Sequence, residues 1–141
     1  MKSVVAVAIL LAAVASVRGI DQDTVIPKYM EYLMPDVQPC ADEFKLTQEQ
    51  FTNIQRAGEV DQRQMGCLKA CVMKRIGILT GTDFHIEPIY KMISVVHAGN
   101  DQDIKDVTAI ADACVADIKG ETDECVIGNK YTDCYVAKIL G

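Results

Sequence analysis

From residue 20 onward, apolar side chains recur at intervals of three and four, the spacing of one helix face, and strand-like alternation is sustained nowhere. The pattern predicts an all-α domain of about six helices separated by helix breakers. The first, in DTVIPKYMEYLM, places Ile26, Met30 and Leu33 on one face, tolerates Pro27 in its opening turn and ends at Pro35. A short second helix begins at Thr47 in TQEQ, where Gln50 completes a capping box, and carries Phe51 and Ile54. The third, QMGCLKACVMKRIGIL, aligns Leu68, Val72, Ile76 and Leu79 and stops before the TGTD turn at 80–83. The fourth, EPIYKMISVVHAG, opens with Pro88, aligns Ile86, Ile89, Ile93 and Val96, and closes at Gly99. In the fifth, DQDIKDVTAIADACVADIKG, Asn100 is the N-cap and Gly120 lies past the end. Its inner face is Ile104, Val107, Ala111, Cys114, Val115 and Ile118. The sixth, TDECVIGNKYTDCYVAKIL, is capped by Thr122 and turns Ile127, Tyr131, Cys134, Tyr135 and Ile139 inward.

The first 19 residues, MKSVVAVAILLAAVASVRG, fall outside this pattern. Lys2 supplies a positive start, and Val4 to Ala15 form twelve uninterrupted apolar residues. Val17 and Gly19 are small enough for a cleavage site, with Ala15 as an alternative end. A membrane span needs roughly 20 apolar residues, so the run is too short for one. Residues 1–19 read as a secretory signal peptide and 20–141 as one mature domain with no membrane span. Without the leader, 12 basic and 20 acidic side chains give a formal charge of −8. That balance argues against nucleic acid and anionic membrane surfaces as partners, since both recruit basic patches.

All six cysteines, Cys40, Cys67, Cys71, Cys114, Cys125 and Cys134, lie in the mature part of a chain bound for an oxidising compartment, which predicts three disulfides. Cys67 and Cys71 sit one turn apart on the third helix, their Cβ atoms about 5–6 Å apart, too far for a disulfide, which wants ~3.8 Å. Excluding that pair leaves twelve of the fifteen arrangements open and makes the third helix the hub of the fold. A zinc site is disfavoured, because there are no paired C-x2-C knuckles and only two histidines, so no metal or cofactor is expected.

The spacing C-x26-C-x3-C-x42-C-x10-C-x8-C, with the leader in front and the helix count, resembles that of the insect odorant-binding proteins, the six-cysteine general and pheromone-binding superfamily. The likeness covers nearly all of residues 21–140, and the runs IDQDTV, KYMEYLMPD and IGNKYTDCY are similar to those of bee antennal members. It implies interlocked bridges, Cys40–Cys71, Cys67–Cys125 and Cys114–Cys134, around an internal apolar cavity. Counted from the cysteines, the family's pocket positions fall on Met73, Thr108, Ala111 and Tyr135, and its cavity-facing helices carry Met30 and Met92. Met73 stands where pheromone binders have a serine, which leaves Thr108 and Tyr135 as polar anchors. Ile76, Ile89, Ile93 and Val115 join the lining on periodicity alone.

His85 lies in the TGTDFHIEP connection, between Asp83 and Glu87. In the family this connection sits at the cavity mouth and can loosen on acidification, so His85 is a possible pH trigger. His97, at the end of the fourth helix, reads as a cation favoured by the helix dipole. Only seven residues follow Cys134, too few for the extra helix that enters the cavity of pheromone binders at low pH, and YVAKILG is expected to form a wall or cover.

The chain has no G-x-S-x-G, no H-E-x-x-H, no Gly-rich phosphate loop and no EF-hand spacing, and it is expected not to be an enzyme. The resemblance implies a secreted carrier that encloses a small hydrophobic volatile ligand. In that reading it crosses sensillar lymph to an olfactory receptor as a monomer or weak dimer. The alternative is a non-olfactory carrier in haemolymph, gland or reproductive fluid.

Overall fold

The computed structural model describes residues 20–45 and 61–141, so the expected leader and the TQEQ helix lie outside the described residues. Five α-helices account for most of the described chain: α1 (Gln22–Glu43), α2 (Gln62–Ile76), α3 (Glu87–Val96), α4 (Asp101–Cys114) and α5 (Glu124–Leu140). A 3-10 turn, Val115–Ile118, follows α4. Between α2 and α3 lies a small antiparallel hairpin, β1 (Leu79–Thr80) with β2 (Asp83–Phe84), which pairs Leu79 with Phe84. The class is all-α, and the bridges are Cys40–Cys71, Cys67–Cys125 and Cys114–Cys134. No helix among the described residues is long and apolar enough to cross a membrane.

α1 does not end at Pro35; it runs through Pro35 and Pro39 to Glu43. Each interior proline removes one helix hydrogen bond, but the segment is held at both ends, by buried Val25 and by Cys40, fully buried and bridged to Cys71. Anchoring Cys40 also sets the phase of the helix. Val25, Tyr29, Leu33 and Val37 turn inward, whereas Ile26, Met30 and Met34 stay outside at 44%, 39% and 39% exposure.

α2 ends before its apolar stripe does. Gly77 takes φ +93°, a left-handed conformation that suits glycine, and the Ile78 N–H donates back to the Met73 carbonyl at 2.8 Å. Ile78 and Leu79 therefore leave the helix and are buried at the start of the hairpin. Asn100 caps α4, accepting from the Asp103 N–H. α5 is capped by Asp123 where Thr122 was expected, because the Asp123 carboxylate accepts from the N–H groups of Cys125 and Val126. Its hydrogen bond from Arg63 holds that carboxyl below the usual range.

α2 and α5 cross with their backbones close together. A Cβ on Gly66 would strike the Cys125 carbonyl, and one on Gly128 would strike the carbonyl of Gly66. Beside this crossing the Cα atoms of Cys67 and Cys125 are 4.2 Å apart, against 5.9 and 5.8 Å in the other bridges. The ion pairs Arg63–Asp123 and Lys74–Glu124 flank it at 2.8 and 3.0 Å, but both are exposed and contribute little. α2 is thus bridged to both α1 and α5, from cysteines one turn apart.

Candidate functional site

Next to this crossing, side chains of α1, α2, α3 and α5 line a half-open cavity of about 230 Å³. Leu33 and Val37 line it from α1, Leu68, Val72, Met73 and Ile76 from α2, and Ile89 and Met92 from α3. Ile78 closes the hairpin side. Met65 and the Lys69 stem complete the α2 wall, while the Lys69 ammonium is held by Asn129 and Asp133 at 3.2 Å each. α5 contributes Tyr131, Thr132 and Tyr135.

Tyr131 and Tyr135 stand one turn apart with stacked rings 6.2 Å between centroids, and Phe84 of β2 packs 4.6 Å from Tyr131. The Tyr131 hydroxyl donates to the Ala111 carbonyl at 2.9 Å. That carbonyl lies in the last turn of α4, where helix acceptors lack an intrahelical partner. Burial pushes both phenols well above their ordinary range, so they stay protonated.

Behind Tyr135 runs a short polar chain. Its hydroxyl lies 2.8 Å from that of Tyr29, which in turn lies 2.8 Å from Nε2 of His97. His97 ends α3 and is only 3% exposed. Its Nδ1 is buried without a hydrogen-bond partner among the described residues, 3.7 Å from the Asp103 carboxylate. Desolvation lowers the imidazole below its ordinary range, opposed by Asp103. His97 is therefore neutral at pH 7, which corrects its expected role as a helix-end cation: burial outweighs the dipole.

The linkage has a definite sign. Unfolded His97 binds its proton more readily than the folded residue, so stability falls as pH drops through ~6.5 and keeps falling until the folded group is charged. The urea midpoint is expected to be lower at pH 5 than at pH 7.5, and His97→Gln to shrink that difference. An unchanged difference in the variant would assign the acid sensitivity to other groups.

The structure brings Met73, Ile76, Ile89, Met92 and Tyr135 together on the cavity wall. It leaves five other expected lining residues away from it. Met30 is on the outer face of α1, for the phase reason given above. Ile93 is fully buried in the core. No α4 residue reaches the cavity, because Tyr131 extends from the wall to the Ala111 carbonyl and stands between them. Ala111 is core, Thr108 is half-buried on α4, and Val115 is 36% exposed in the 3-10 turn. Val115 borders a shallow hollow with Phe84, Glu87 and Asp112, where His85 also sits, exposed and 3.2 Å from the Thr80 hydroxyl.

Several wall residues were not anticipated. Leu68 and Val72 belong to the apolar stripe of α2 and read as ordinary core, and Tyr131 shares the inner face of α5 with Tyr135. The chain behind the wall carried no local signal, since the Tyr29–His97 contact spans 68 residues of sequence and the Tyr29–Tyr135 contact 106.

Residues 22–138 match the sequence model of the PBP/GOBP family. Over 133 residues the chain is 29% identical to the general odorant-binding protein 28a of Drosophila melanogaster, covering 94% of this chain and 90% of that relative.

Proposed function

The chain belongs to the PBP/GOBP family, and on that premise we propose that it is a secreted, non-enzymatic carrier of small hydrophobic odorants or pheromone components. It takes them up from aqueous extracellular fluid, sensillar lymph in the olfactory case, and delivers them to olfactory receptors as a monomer or weak dimer. The observation that supports this reading best is the cavity itself, walled by aliphatic and thioether side chains and tyrosine rings. The name of the Drosophila relative supports the olfactory assignment.

The cavity size favours a volatile. At about 230 Å³ it exceeds the roughly 150 Å³ apolar cavity that takes benzene and lies below the ~300 Å³ where drug-sized pockets begin. Burial of ligand surface at roughly 25 cal/mol per Å² supplies the driving force. Flexible Met65, Met73 and Met92 on the wall adapt it to several shapes. His85, outside the cavity wall, remains a proposed pH trigger, tested by comparing the pH dependence of affinity in His85→Ala and the parent.

A fluorescent apolar probe is expected to bind the oxidised protein and to be displaced by a panel of volatiles. The chain has no tryptophan, so Met73→Trp both fills the cavity and adds a reporter. It is expected to weaken probe binding about tenfold or more, by occluding space the ligand needs. Failure of probe and panel alike to bind would overturn the carrier reading, and undiminished binding in Met73→Trp would place the site elsewhere.

A further inference from the structure

The polar chain behind the cavity fixes the direction of its hydrogen bonds. Nδ1 of His97 faces the Asp103 carboxylate and has no hydrogen-bond partner among the described residues. On the neutral ring the proton therefore resides on Nδ1, where that charge favours it. Nε2 is then an acceptor, and the Tyr29 hydroxyl, 2.8 Å away, donates to it. With its one proton committed, Tyr29 can only accept from Tyr135, so Tyr135 donates across the second 2.8 Å contact. The Tyr135 oxygen keeps lone pairs and no free hydrogen.

Resting on the carrier reading, we infer that Tyr135, oriented through Tyr29 by His97, is a hydrogen-bond acceptor in the cavity wall and selects hydroxyl-bearing ligands over carbonyl ligands of the same shape. The other polar wall groups do not supply this preference. The Tyr131 proton is committed to Ala111 and the Lys69 ammonium is held by Asn129 and Asp133, while the Thr132 hydroxyl can both donate and accept.

Protonation of His97 reverses the chain. Nε2 becomes a donor to Tyr29, Tyr29 donates to Tyr135, and the Tyr135 hydrogen is released toward the cavity, where it favours a carbonyl. The charged groups acting on His97 are Lys28 of α1, which opposes its protonation, and Asp103 of α4, which favours it. The uncharged Tyr29 also faces it.

The test is displacement of an apolar fluorescent probe at pH 7.5 by 1-hexanol and hexanal, which differ at the polar end alone. In the parent protein hexanol is expected to bind about five- to tenfold tighter, the range of one net hydrogen bond. In Tyr29→Phe, whose change is remote from the cavity wall, Tyr135 is free to rotate and the ratio is expected to fall toward one. Nitrogen chemical shifts of the His97 ring in the unmodified protein check the same point without a variant, and are expected to show the Nδ1–H tautomer. Equal affinities with the probe bound, or an Nε2–H ring, would overturn the inference and leave the carrier reading intact. Failure of the probe to bind would remove the carrier reading and this inference with it.

Discussion

Replacing Cys67 and Cys125 together by alanine is expected to lower the unfolding free energy by about 4 kcal/mol, the loop-closure value for its sequence separation of 58 residues. For a domain of this size that corresponds to a fall in Tm of roughly 15 °C. The other bridges span 31 and 20 residues, for which the same relation gives about 3.7 and 3.3 kcal/mol. Topology widens this gap. Cys40–Cys71 ties α1 to α2, and Cys114–Cys134 ties α4 to α5. Cys67–Cys125 alone joins one pair of helices to the other. The cavity has walls on both sides of that junction, Leu33 to Ile76 on α1 and α2 and Tyr131 to Tyr135 on α5, so probe affinity is expected to drop along with stability. Urea unfolding of the double variant beside Cys114→Ala/Cys134→Ala checks the order. A larger loss from the second would show that loop closure and topology do not govern these bridges.

The cysteine spacing carried more information than any other feature of the sequence. Helical period excluded only Cys67–Cys71, and family resemblance supplied the pairing that the structure contains. The faces of α2 and α5 were legible because Leu68, Val72 and Ile76, and Tyr131 and Tyr135, keep a helical period over uninterrupted segments. α1 was misread because local proline chemistry favours a stop at Pro35, whereas a bridge to a residue 31 positions away holds the helix to Glu43. Thr108 and Ala111 were assigned to the cavity by counting from a cysteine and Val115 by helical period, and neither rule registers that a tyrosine of another helix fills the intervening space. His97 shows the same limit. Its position in sequence indicates a helix end, but its charge is decided by burial against α1 and α4.

Gly128→Ala is expected to destabilise the protein by about 2–3 kcal/mol, the upper part of the range for overpacking. Helix propensity predicts the opposite sign, since alanine in a helix interior is favoured over glycine by about 1 kcal/mol. The surroundings decide. The new methyl would meet the carbonyl of Gly66, the amide nitrogen of Ala70 at 2.9 Å and the Lys69 Cβ at 3.3 Å. Two of these are backbone atoms of α2, which cannot rotate aside as a side chain could, so α2 and α5 must separate. Gly66→Ala is expected to act alike, meeting the Cys125 carbonyl and the Asn129 amide nitrogen at 2.7 Å. Because each glycine lies against the other helix at one crossing, the second substitution is expected to cost less than the first once the helices have parted, giving a non-additive cycle. Separation would also move Met65, Lys69 and Tyr131, which border the cavity, so probe binding should weaken in the same variants. Urea midpoints of the two single variants and the double variant test the argument, and a Gly128→Ala protein as stable as the parent would show that the crossing has slack the structure does not show.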